Sequence, residues 1–302
     1  MIKTVAIIGL GAVGAVLANQ LKDLLKDDLF CILDDKRREL YQQNGIIING
    51  QKQNFNYISP EDIKEVDLVI IATKNLQLNQ ALKEIKNAVG KNTAILSLLN
   101  GIQSEKEIEK TYGEEKTLYG FIKNLESINI NSSITCTAKG QILFGEKNNL
   151  LTQRIKDLQE LFDKAKVAYF WPENIQFEMW KKFLINTVFN SLGAICRSPY
   201  GGFKNHVLQD LARKIGNEVI LVANAENIPL TKEILEEDIK LTCSYTESGK
   251  CSMLQDMEAK RKSENAFFCG TIIELGKKHN IPTPYCEFLY ELIEASEIVR
   301  QI

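Results

Sequence analysis

The chain has 302 residues, of which 44% are hydrophobic and 25% are charged, the composition of an ordinary globular protein. Its formal net charge of −2 gives no electrostatic reason to expect binding to nucleic acid. No apolar run reaches the roughly 20 residues that are needed to cross a bilayer. The N-terminus passes from Met1 directly into a short apolar strand and a glycine turn, without a signal-peptide cleavage site. We therefore expect a cytoplasmic protein that binds neither nucleic acid nor membranes.

Seven cysteines and two histidines are scattered along the chain. No C-x-x-C pair occurs, and neither His206 nor His279 lies in a recognisable motif. Structural zinc sites and disulfide frameworks require regular spacings of these residues. The sequence therefore predicts no bound metal and no disulfides, with the cysteines acting as small hydrophobic residues in a reducing compartment.

The first half of the chain alternates short apolar strands with helical patterns. Predicted strands are TVAIIG, FCILDD, DLVIIAT, TAILSLLN, TLYGFI, SSITCTA, QILFGE and KVAYFW, and predicted helices begin near Ala12, Lys36, Leu76 and Gln103. Continuously apolar strands that alternate with helices indicate a parallel sheet covered on both faces. We expect an α/β Rossmann-type doubly wound domain over residues 1–172, ending near Pro172.

After this point the pattern is helical almost throughout. The predicted helices cover residues 174–196, 203–226, 231–248, 252–278 and 284–299, which gives an all-α domain over residues 173–302. Ligands are expected in the cleft between the two domains. Apolar positions in the last helices fit packing within the domain or across a homodimer, and the sequence leaves both open; they are Phe267, Ile272, Leu289 and Ile293.

A glycine-rich turn directly follows the first predicted strand and opens a helix. Gly9, Gly11 and Gly14 have the G-x-G-x-x-G spacing, in which the glycines allow a tight turn, close approach to a pyrophosphate and close helix–sheet packing. The unpaired amides at the helix N-terminus favour phosphate. The predicted dinucleotide-binding turn comprises Gly9, Leu10, Gly11, Ala12, Val13 and Gly14. A purely structural glycine turn is the competing interpretation.

Asp34 ends the second predicted strand about 20 residues after Gly14, where an acid pairs with the ribose hydroxyls of NAD. The bases Lys36 and Arg37 follow at once and could neutralise the 2′-phosphate of NADP, although a solvated charged turn fits them equally well. The cofactor is therefore expected to be NAD or NADP, with the paired acids Asp34 and Asp35 favouring NADH.

Polar residues also follow two further predicted strands. Lys74 comes just after the fourth strand in the pattern and Asn100 just after the fifth. Because the carboxyl ends of parallel strands face the ligand crevice in doubly wound sheets, both side chains are expected in the site. A surface lysine and a turn-forming asparagine before Gly101 are the alternatives.

The segment EMWKKFLINTVFNSLGAICRSP is apolar except for polar residues spaced by four. Lys182, Asn186 and Asn190 therefore form a row along one side of a helix, and burying their polar groups is costly unless each finds a partner. A satisfied polar seam against another helix is one explanation. A site for a polar oxo acid is the other, since Ser252 and Glu264 supply a hydroxyl and a carboxylate downstream.

The sequence resembles the ketopantoate reductase (2-dehydropantoate 2-reductase) family nearly from end to end. The motifs that carry the resemblance are GLGAVG, TKNLQ, NGIQSE, WKKFLINTVFNSLGAI and SMLQDMEAKRKSE. It implies NAD(P)H-dependent reduction of 2-dehydropantoate to (R)-pantoate, in the pantothenate branch of coenzyme A synthesis, with NADPH as the usual cofactor.

The resemblance also implies roles for individual residues. Lys182 would be the general acid that protonates the C2 carbonyl oxygen as hydride arrives, and Glu264 would position the cofactor ribose and the lysine. Substrate contacts would come from Asn100, Asn186, Asn190 and Ser252. Lys74 and Asn100 would line the junction of cofactor and substrate.

Three positions depart from the family pattern. Tyr200 replaces a frequent asparagine, Leu99 replaces a frequent glutamine, and Asp34 stands where many members carry an arginine for the NADP phosphate. Tyr200 and Leu99 favour a paralogous reductase of another branched 2-oxo acid. A cofactor-binding sensor without turnover is a third hypothesis, which the presence of Lys182 with Glu264 argues against.

Overall fold

The computed structural model describes residues 1–130 and 133–301. The chain forms two compact units. The first comprises Met1–Asn100 and Ser104–Ile175, and the second comprises Gly101–Gln103 and Gln176–Ile302. The first unit is α/β and the second is helical, which confirms the expected fold class.

Ten strands of the first unit form one mixed sheet within the described residues. They are β1 Val5–Ile8, β2 Leu29–Ile32, β3 Ile46–Ile48, β4 Gln51–Gln53, β5 Asn56–Ile58, β6 Leu68–Ile71, β7 Ala94–Ser97, β8 Thr117–Ile130, β9 Ser133–Gly145 and β10 Tyr169–Phe170. The spatial order is β4-β3-β9-β8-β7-β6-β1-β2-β5, and β10 pairs with β9.

The centre of the sheet is parallel and buried on both faces. All residues of β1, β6 and β7 are buried, and β1 pairs in parallel with both β2 and β6. Successive side chains point to opposite faces, so Val5 and Ile7 join one apolar core while Ala6 and Ile8 join the other. This double burial explains why the central strands read as unbroken apolar runs.

The strands outside the parallel centre of the sheet differ from the sequence prediction. Strands β8 and β9 are antiparallel and form a long hairpin, so the predicted segments SSITCTA and QILFGE belong to one strand; Ser132 lies outside the described residues. Strands β3, β4 and β5 were not predicted, since each has only three residues. The Asn49–Gly50 turn between β3 and β4 has positive φ at both residues, as tight hairpins require.

The helices of the first unit cover the sheet. They are α1 Ala12–Leu25, α2 Asp35–Asn44, α3 Leu78–Glu84, α4 Ser104–Tyr112 and α5 Gln153–Lys164. Helix α1 buries Ala15, Leu17 and Leu21 against the same core as Val5 and Ile7. Apolar residues on one side of the helix thus fix its position over the parallel strands.

The C-terminal part of the chain is helical. Its helices are α6 Ile175–Ile185, α7 Ser191–Ile195, α8 His206–Ala225, α9 Lys232–Ser244, α10 Ser252–Glu258, α11 Cys269–His279 and α12 Pro284–Arg300. A π-helix over Asn186–Asn190 joins α6 to α7. Of the four apolar positions left open above, Ile272, Leu289 and Ile293 are buried within this unit, and Phe267 is half-buried.

The prediction of one helix over residues 252–278 is wrong. Helix α10 ends at Glu258, Lys260 adopts a left-handed conformation with φ 53°, and α11 begins only at Cys269. Residues 260–265, KRKSEN, are all polar and offer no apolar stripe to continue a helix. The break is held in place because the Ser263 amide donates to the Glu297 carboxylate at 2.9 Å.

No helix among the described residues is long and apolar enough to span a membrane. Nor do residues 1–130 and 133–301 contain a cluster of three or more histidine, cysteine, aspartate or glutamate side chains suited to a metal ion.

Glu105, in the first turn of α4, is a buried acid inside the first unit. Its side chain is fully buried, and the Ser104 hydroxyl donates to Oε2 at 3.0 Å, while Oε1 has no partner among the described residues. Burial raises the pKa of Glu105 to about 8, although hydrogen bonds to the carboxylate from backbone amides and Ser104 oppose the shift. The protonated form is therefore the stable one in the folded protein at neutral pH.

Replacing Glu105 by glutamine should make stability less dependent on pH. The native state holds a proton that the unfolded chain releases near pH 4.5, so this stabilisation is complete below pH 4.5 and is lost as pH rises through about 8. We expect Glu105→Gln to be more stable than wild type at pH 9 by about 1–3 kcal/mol in urea unfolding. Glu107→Gln on the same helix is the control, and an equal gain in both variants would contradict the assignment.

Candidate active site

The carboxyl ends of four neighbouring parallel strands bring the predicted cofactor residues to one edge of the sheet. Strands β7, β6, β1 and β2 are adjacent in that order. Asn100, Lys74, Gly9 and Asp34 lie in the segments that follow these strands. The edge where parallel strands end is where nucleotides bind in doubly wound sheets. The geometry therefore fits a cofactor site here.

Two glycines of the turn are required by the fold itself. Gly9 has φ +96°, and a Cβ there would lie 2.6 Å from the backbone of Ala72 and Thr73. A Cβ on Gly14 would overlap the carbonyl oxygen of Gly9. These two glycines hold α1 close to the sheet, in agreement with their predicted structural roles.

Gly11 is different, because nothing lies within 4 Å of the place where its Cβ would be. Its φ of −79° is open to any residue, and it caps α1 without a side-chain hydrogen bond. The first turn of α1 also contains no acidic residue. No contact among the described residues requires glycine at this position, and the open space at the helix N-terminus is compatible with a bound pyrophosphate. Of the other residues in the turn, Leu10 is buried in the core, and Ala12 and Val13 are half-buried.

Asp34 is the N-cap of α2 and is paired with Arg37. Its Oδ1 accepts the Arg37 amide at 2.8 Å and its Oδ2 accepts Arg37 Nε at 2.5 Å. Partial burial raises the pKa of Asp34, but the Arg37 amide and guanidinium outweigh it and hold the pKa below its usual value. Asp34 is thus ionised. It lies beside Arg37, one of the two basic residues that were expected to favour NADP while Asp34 favours NAD.

Asn75 was missed by the sequence analysis. It is buried, and its Nδ2 donates to the Asn100 carbonyl oxygen at 2.8 Å, which ties the segment after β6 to the segment after β7. Lys74, one residue earlier, is exposed, and Asn100 is half-buried. The only signal in the sequence was that Asn75 follows Lys74 at the end of a predicted strand. That pattern pointed to Lys74 and not to Asn75.

In the helical unit, the predicted polar row continues through a change in helix type. Lys182 lies in the last turn of α6, and Asn186 and Asn190 are the first and last residues of the π-helix. A π-helix is wider than an α-helix and is often found at functional sites. Nothing in the sequence indicated this change.

The structure brings Asn186, Asn190 and Ser252 together. Asn190 Nδ2 donates to Asn186 Oδ1 at 3.2 Å and lies 3.3 Å from Ser252 Oγ, which accepts from it. Asn186 and Asn190 are both buried. Asn186 Nδ2 is a buried donor that has no hydrogen-bond partner among the described residues, and a ligand oxygen could accept from it.

Lys182 and Glu264 form the charged part of this group. Burial lowers the pKa of Lys182 to about 8, and the negative charge of Glu264 opposes the shift by stabilising the ammonium. Glu264 is itself buried, in the non-helical segment between α10 and α11. A lysine with a pKa near neutrality can give up a proton during a reaction.

Leu99 and Tyr200, two of the positions that depart from the family pattern, lie in different environments. Leu99 is 3% exposed and belongs to the apolar core under the sheet, so its side chain contributes packing. Tyr200 is half-buried, and its ring contacts the ring of Tyr245. Tyr245 was not predicted to matter. Of these two side chains, only that of Tyr200 is partly accessible.

The comparisons with known proteins agree along the whole chain. The family model described as Ketopantoate reductase PanE/ApbA matches residues 5–149, and the one described as Ketopantoate reductase PanE/ApbA C terminal matches residues 174–297. A 2-dehydropantoate 2-reductase of Streptococcus pyogenes is 27% identical over 99% of both chains. The uncharacterized oxidoreductase YkpB of Bacillus subtilis is 26% identical over 96% of this chain and 98% of its own.

A solved structure extends the comparison to another activity. D-mandelate dehydrogenase, in a ternary structure with NADH and anilino(oxo)acetate, superposes with a TM-score of 0.89. It is 25% identical, and the match covers 99% of this chain and 100% of that one. The relatives and structural neighbours are thus NAD(P)-dependent oxidoreductases.

Replacing Gly11 by alanine should separate cofactor binding from folding. The new methyl group meets no protein atom but enters the space that a pyrophosphate would use. We expect Gly11→Ala to change the melting temperature by less than about 4 °C. The Kd for NADH and NADPH, measured by fluorescence titration, should rise by about tenfold or more.

Gly14→Ala is the matched comparison, since its Cβ would overlap Gly9 and should destabilise the fold itself. Gly11→Ala protein that binds both cofactors as tightly as wild type would disprove a pyrophosphate position at this turn.

Proposed function

Because the chain belongs to the ketopantoate reductase family of NAD(P)-dependent oxidoreductases, we propose that it reduces 2-dehydropantoate to (R)-pantoate with NAD(P)H. Two lines of support are the 2-dehydropantoate 2-reductase relative in Streptococcus pyogenes and the polar group in the helical unit. The substrate is thus a small 2-oxo acid.

The observation that carries the proposal is the unsatisfied Nδ2 donor of Asn186. It lies in a residue only 8% exposed, on the same helical segment as Lys182 and hydrogen-bonded through Oδ1 to Asn190. Leaving such a donor unpaired costs about 1–3 kcal/mol. An oxygen-rich acid would supply the missing acceptor, while an apolar ligand would not.

The proposed reaction moves two electrons and two hydrogens. A bound nicotinamide cofactor supplies hydride to C2 of the substrate. The Lys182 ammonium donates its proton to the carbonyl oxygen, so that the C=O bond becomes a CH–OH group. Before the transfer, the positive charge of Lys182 stabilises negative charge that develops on that oxygen.

Glu264 supports this step by keeping Lys182 charged. Without the carboxylate, burial would lower the pKa of Lys182 further, and less of the protein would carry the acid at neutral pH. We assign Asn100, Asn186, Asn190 and Ser252 to the substrate, and Lys74, Asn100 and Glu264 to the cofactor. Asn75 positions the backbone of Asn100.

The choice between NADH and NADPH depends on the Asp34–Arg37 pair. An ionised Asp34 can accept the ribose hydroxyls of NADH, and the adjacent Arg37 guanidinium can meet the 2′-phosphate of NADPH. Because both Asp34 oxygens already accept from Arg37, the carboxylate is held in place by the fold.

A second candidate is reduction of a different branched or aromatic 2-oxo acid. The similarity to D-mandelate dehydrogenase and the presence of Tyr200 favour it. A cofactor-binding sensor without turnover is the weakest candidate, since a sensor has no use for a lysine whose pKa lies near 8.

The direct test is oxidation of NADH and of NADPH with 2-dehydropantoate, followed by absorbance at the nicotinamide band. Wild type should turn over, and the ratio of kcat/KM values for the two cofactors will identify the preferred one. Lys182→Ala should lower kcat by about a hundredfold or more and leave the cofactor Kd nearly unchanged, because it removes only the proton donor.

Lys181→Ala on the same helix is the matched control and should retain activity. Loss of cofactor binding in a folded Lys182→Ala protein would refute the general-acid role. No turnover by wild type, with cofactor still bound, would exclude 2-dehydropantoate as the substrate.

The pH dependence provides an independent check. The acid form of Lys182 is required, so kcat/KM for reduction should be level below about pH 8 and fall about tenfold per unit above it. In Glu264→Gln the ammonium loses its stabilising charge, and the break should move to lower pH. A break at the same pH in both proteins would argue against the pairing of Lys182 with Glu264.

A further inference from the structure

The segment that carries Glu264 is tied to helix α12 on both sides of that residue. The Ser263 amide, one residue before Glu264, donates to Glu297 Oε1 at 2.9 Å. One residue after Glu264, Asn265 Nδ2 donates to the Tyr290 carbonyl oxygen at 3.0 Å. Both bonds join parts of the chain that are distant in sequence, so they fix this segment against the helix.

The acceptors on α12 lie on one face of the helix. Tyr290, Glu294 and Glu297 are spaced by four and by three residues, which places them above one another along the helix. Glu294 Oε1 accepts a second bond from Asn265 Nδ2 at 3.3 Å. Glu297 is buried, so its carboxylate serves the segment and not the solvent. This face of α12 is therefore an acceptor surface for the break between α10 and α11.

Holding the segment in this way has a cost. Asn265 is buried, and its Oδ1 has no hydrogen-bond partner among the residues that the structure describes. Glu297 is a carboxyl group removed from water, which is unfavourable unless hydrogen bonds compensate. Apolar side chains would fill both places without these costs. The two residues are therefore better explained by the backbone that they hold than by packing.

The backbone that they hold is that of Glu264. Its carbonyl oxygen accepts the Phe267 amide at 2.9 Å, which closes the short 3₁₀ turn before α11. Both chain neighbours of Glu264 are bonded to α12, so the root of its side chain has a fixed position. A shift of the segment would move the carboxylate whose charge stabilises the Lys182 ammonium.

We propose that Glu297 and Asn265 are positioning residues, which hold Glu264 where its carboxylate acts on Lys182. This inference rests on the general-acid role of Lys182 in the proposed function. Both residues act through Glu264 and not on the substrate. When Glu264 is displaced, burial lowers the pKa of Lys182 further, and the acid form is lost at a lower pH. Helix α12 thereby sets the upper pH limit of the reaction.

Other charged groups flank the segment, and their direct effects must be separated from positioning. They are Glu294 and Glu297 on α12, and Asp256 on α10, whose Oδ1 accepts from Arg261 Nε at 2.9 Å. Removing a negative charge at position 297 would lower the pKa of Lys182 even if Glu264 did not move. Glutamine at position 297 separates the two effects, because it removes the charge and keeps an oxygen that accepts the Ser263 amide.

The test measures the pKa of Lys182 by NMR titration of protein labelled with ¹³C at lysine Cε, with Lys182→Ala to assign the signal. Glu297→Ala should lower this pKa by about 1 from its value of about 8, and Glu297→Gln should leave it within about 0.2. Asn265→Ala is the second variant and should lower it in the same direction. Glu291→Ala, which removes an exposed acid of α12, is the matched control and should leave it unchanged.

The same change should appear in turnover. When the pKa of Lys182 falls from about 8 to about 7, kcat/KM for reduction should fall about fivefold at pH 8 and stay nearly unchanged at pH 6. A purely structural defect would lower kcat/KM equally at both values of pH.

A double variant shows whether Glu297 acts through Glu264. In a Glu264→Gln background, Glu297→Ala should lower the pKa of Lys182 no further, because the carboxylate that it positions is gone. An equal fall in that background, or an equal fall in Glu297→Gln, would overturn the positioning role. So would an unchanged pKa in Glu297→Ala, or in Asn265→Ala where Glu297→Ala does not fold.

Failure of wild type to oxidise cofactor with 2-dehydropantoate would instead overturn the proposed function. The titration needs no substrate, so it would still decide whether Glu297 and Asn265 position Glu264.

Discussion

The helical unit depends on the cost of burying an ammonium group. Removing Lys182 from water destabilises its charged form, and the Glu264 carboxylate compensates in part, which leaves the pKa of Lys182 near 8. Glu264 lies in the break between α10 and α11, so this break supplies the carboxylate that acts on Lys182. The Ser263 amide bound to Glu297 and the left-handed Lys260 fix the break. The irregular segment thus holds the charge that stabilises the Lys182 ammonium.

In the glycine turn after β1, the space around each residue matters more than charge. Gly9 and Gly14 are closed in by neighbouring backbone, so they let α1 approach the sheet. Gly11 is open, and under the proposed function it is the one glycine of the three whose missing side chain would leave room for the pyrophosphate. A single motif therefore contains two kinds of glycine, and the surroundings of each Cβ position distinguish them.

The sequence predicted the central strands, the glycine turn and the helical second half because these depend on long apolar patterns and on a local motif. It missed β3, β4 and β5, since three residues are too few to show a period. It also missed the π-helix, because a change from α to π leaves the residue spacing of Lys182, Asn186 and Asn190 unaltered. Asn75 and Tyr245 could not be found because their roles come from contacts with residues distant in the chain. Contacts between residues that are distant in the chain cannot be read directly from one sequence.

Under the proposed function, Asp34 has a double role that constrains how cofactor preference can change during evolution or redesign. Its carboxylate caps α2 as well as standing at the end of β2, so exchange for arginine would remove a helix cap worth about 1 kcal/mol along with the negative charge. Serine or threonine would keep the cap and discard the charge. If Asp34 binds the ribose as proposed, the least costly change from NADH to NADPH preference is a serine or threonine at position 34, with Lys36 or Arg37 supplying the positive charge.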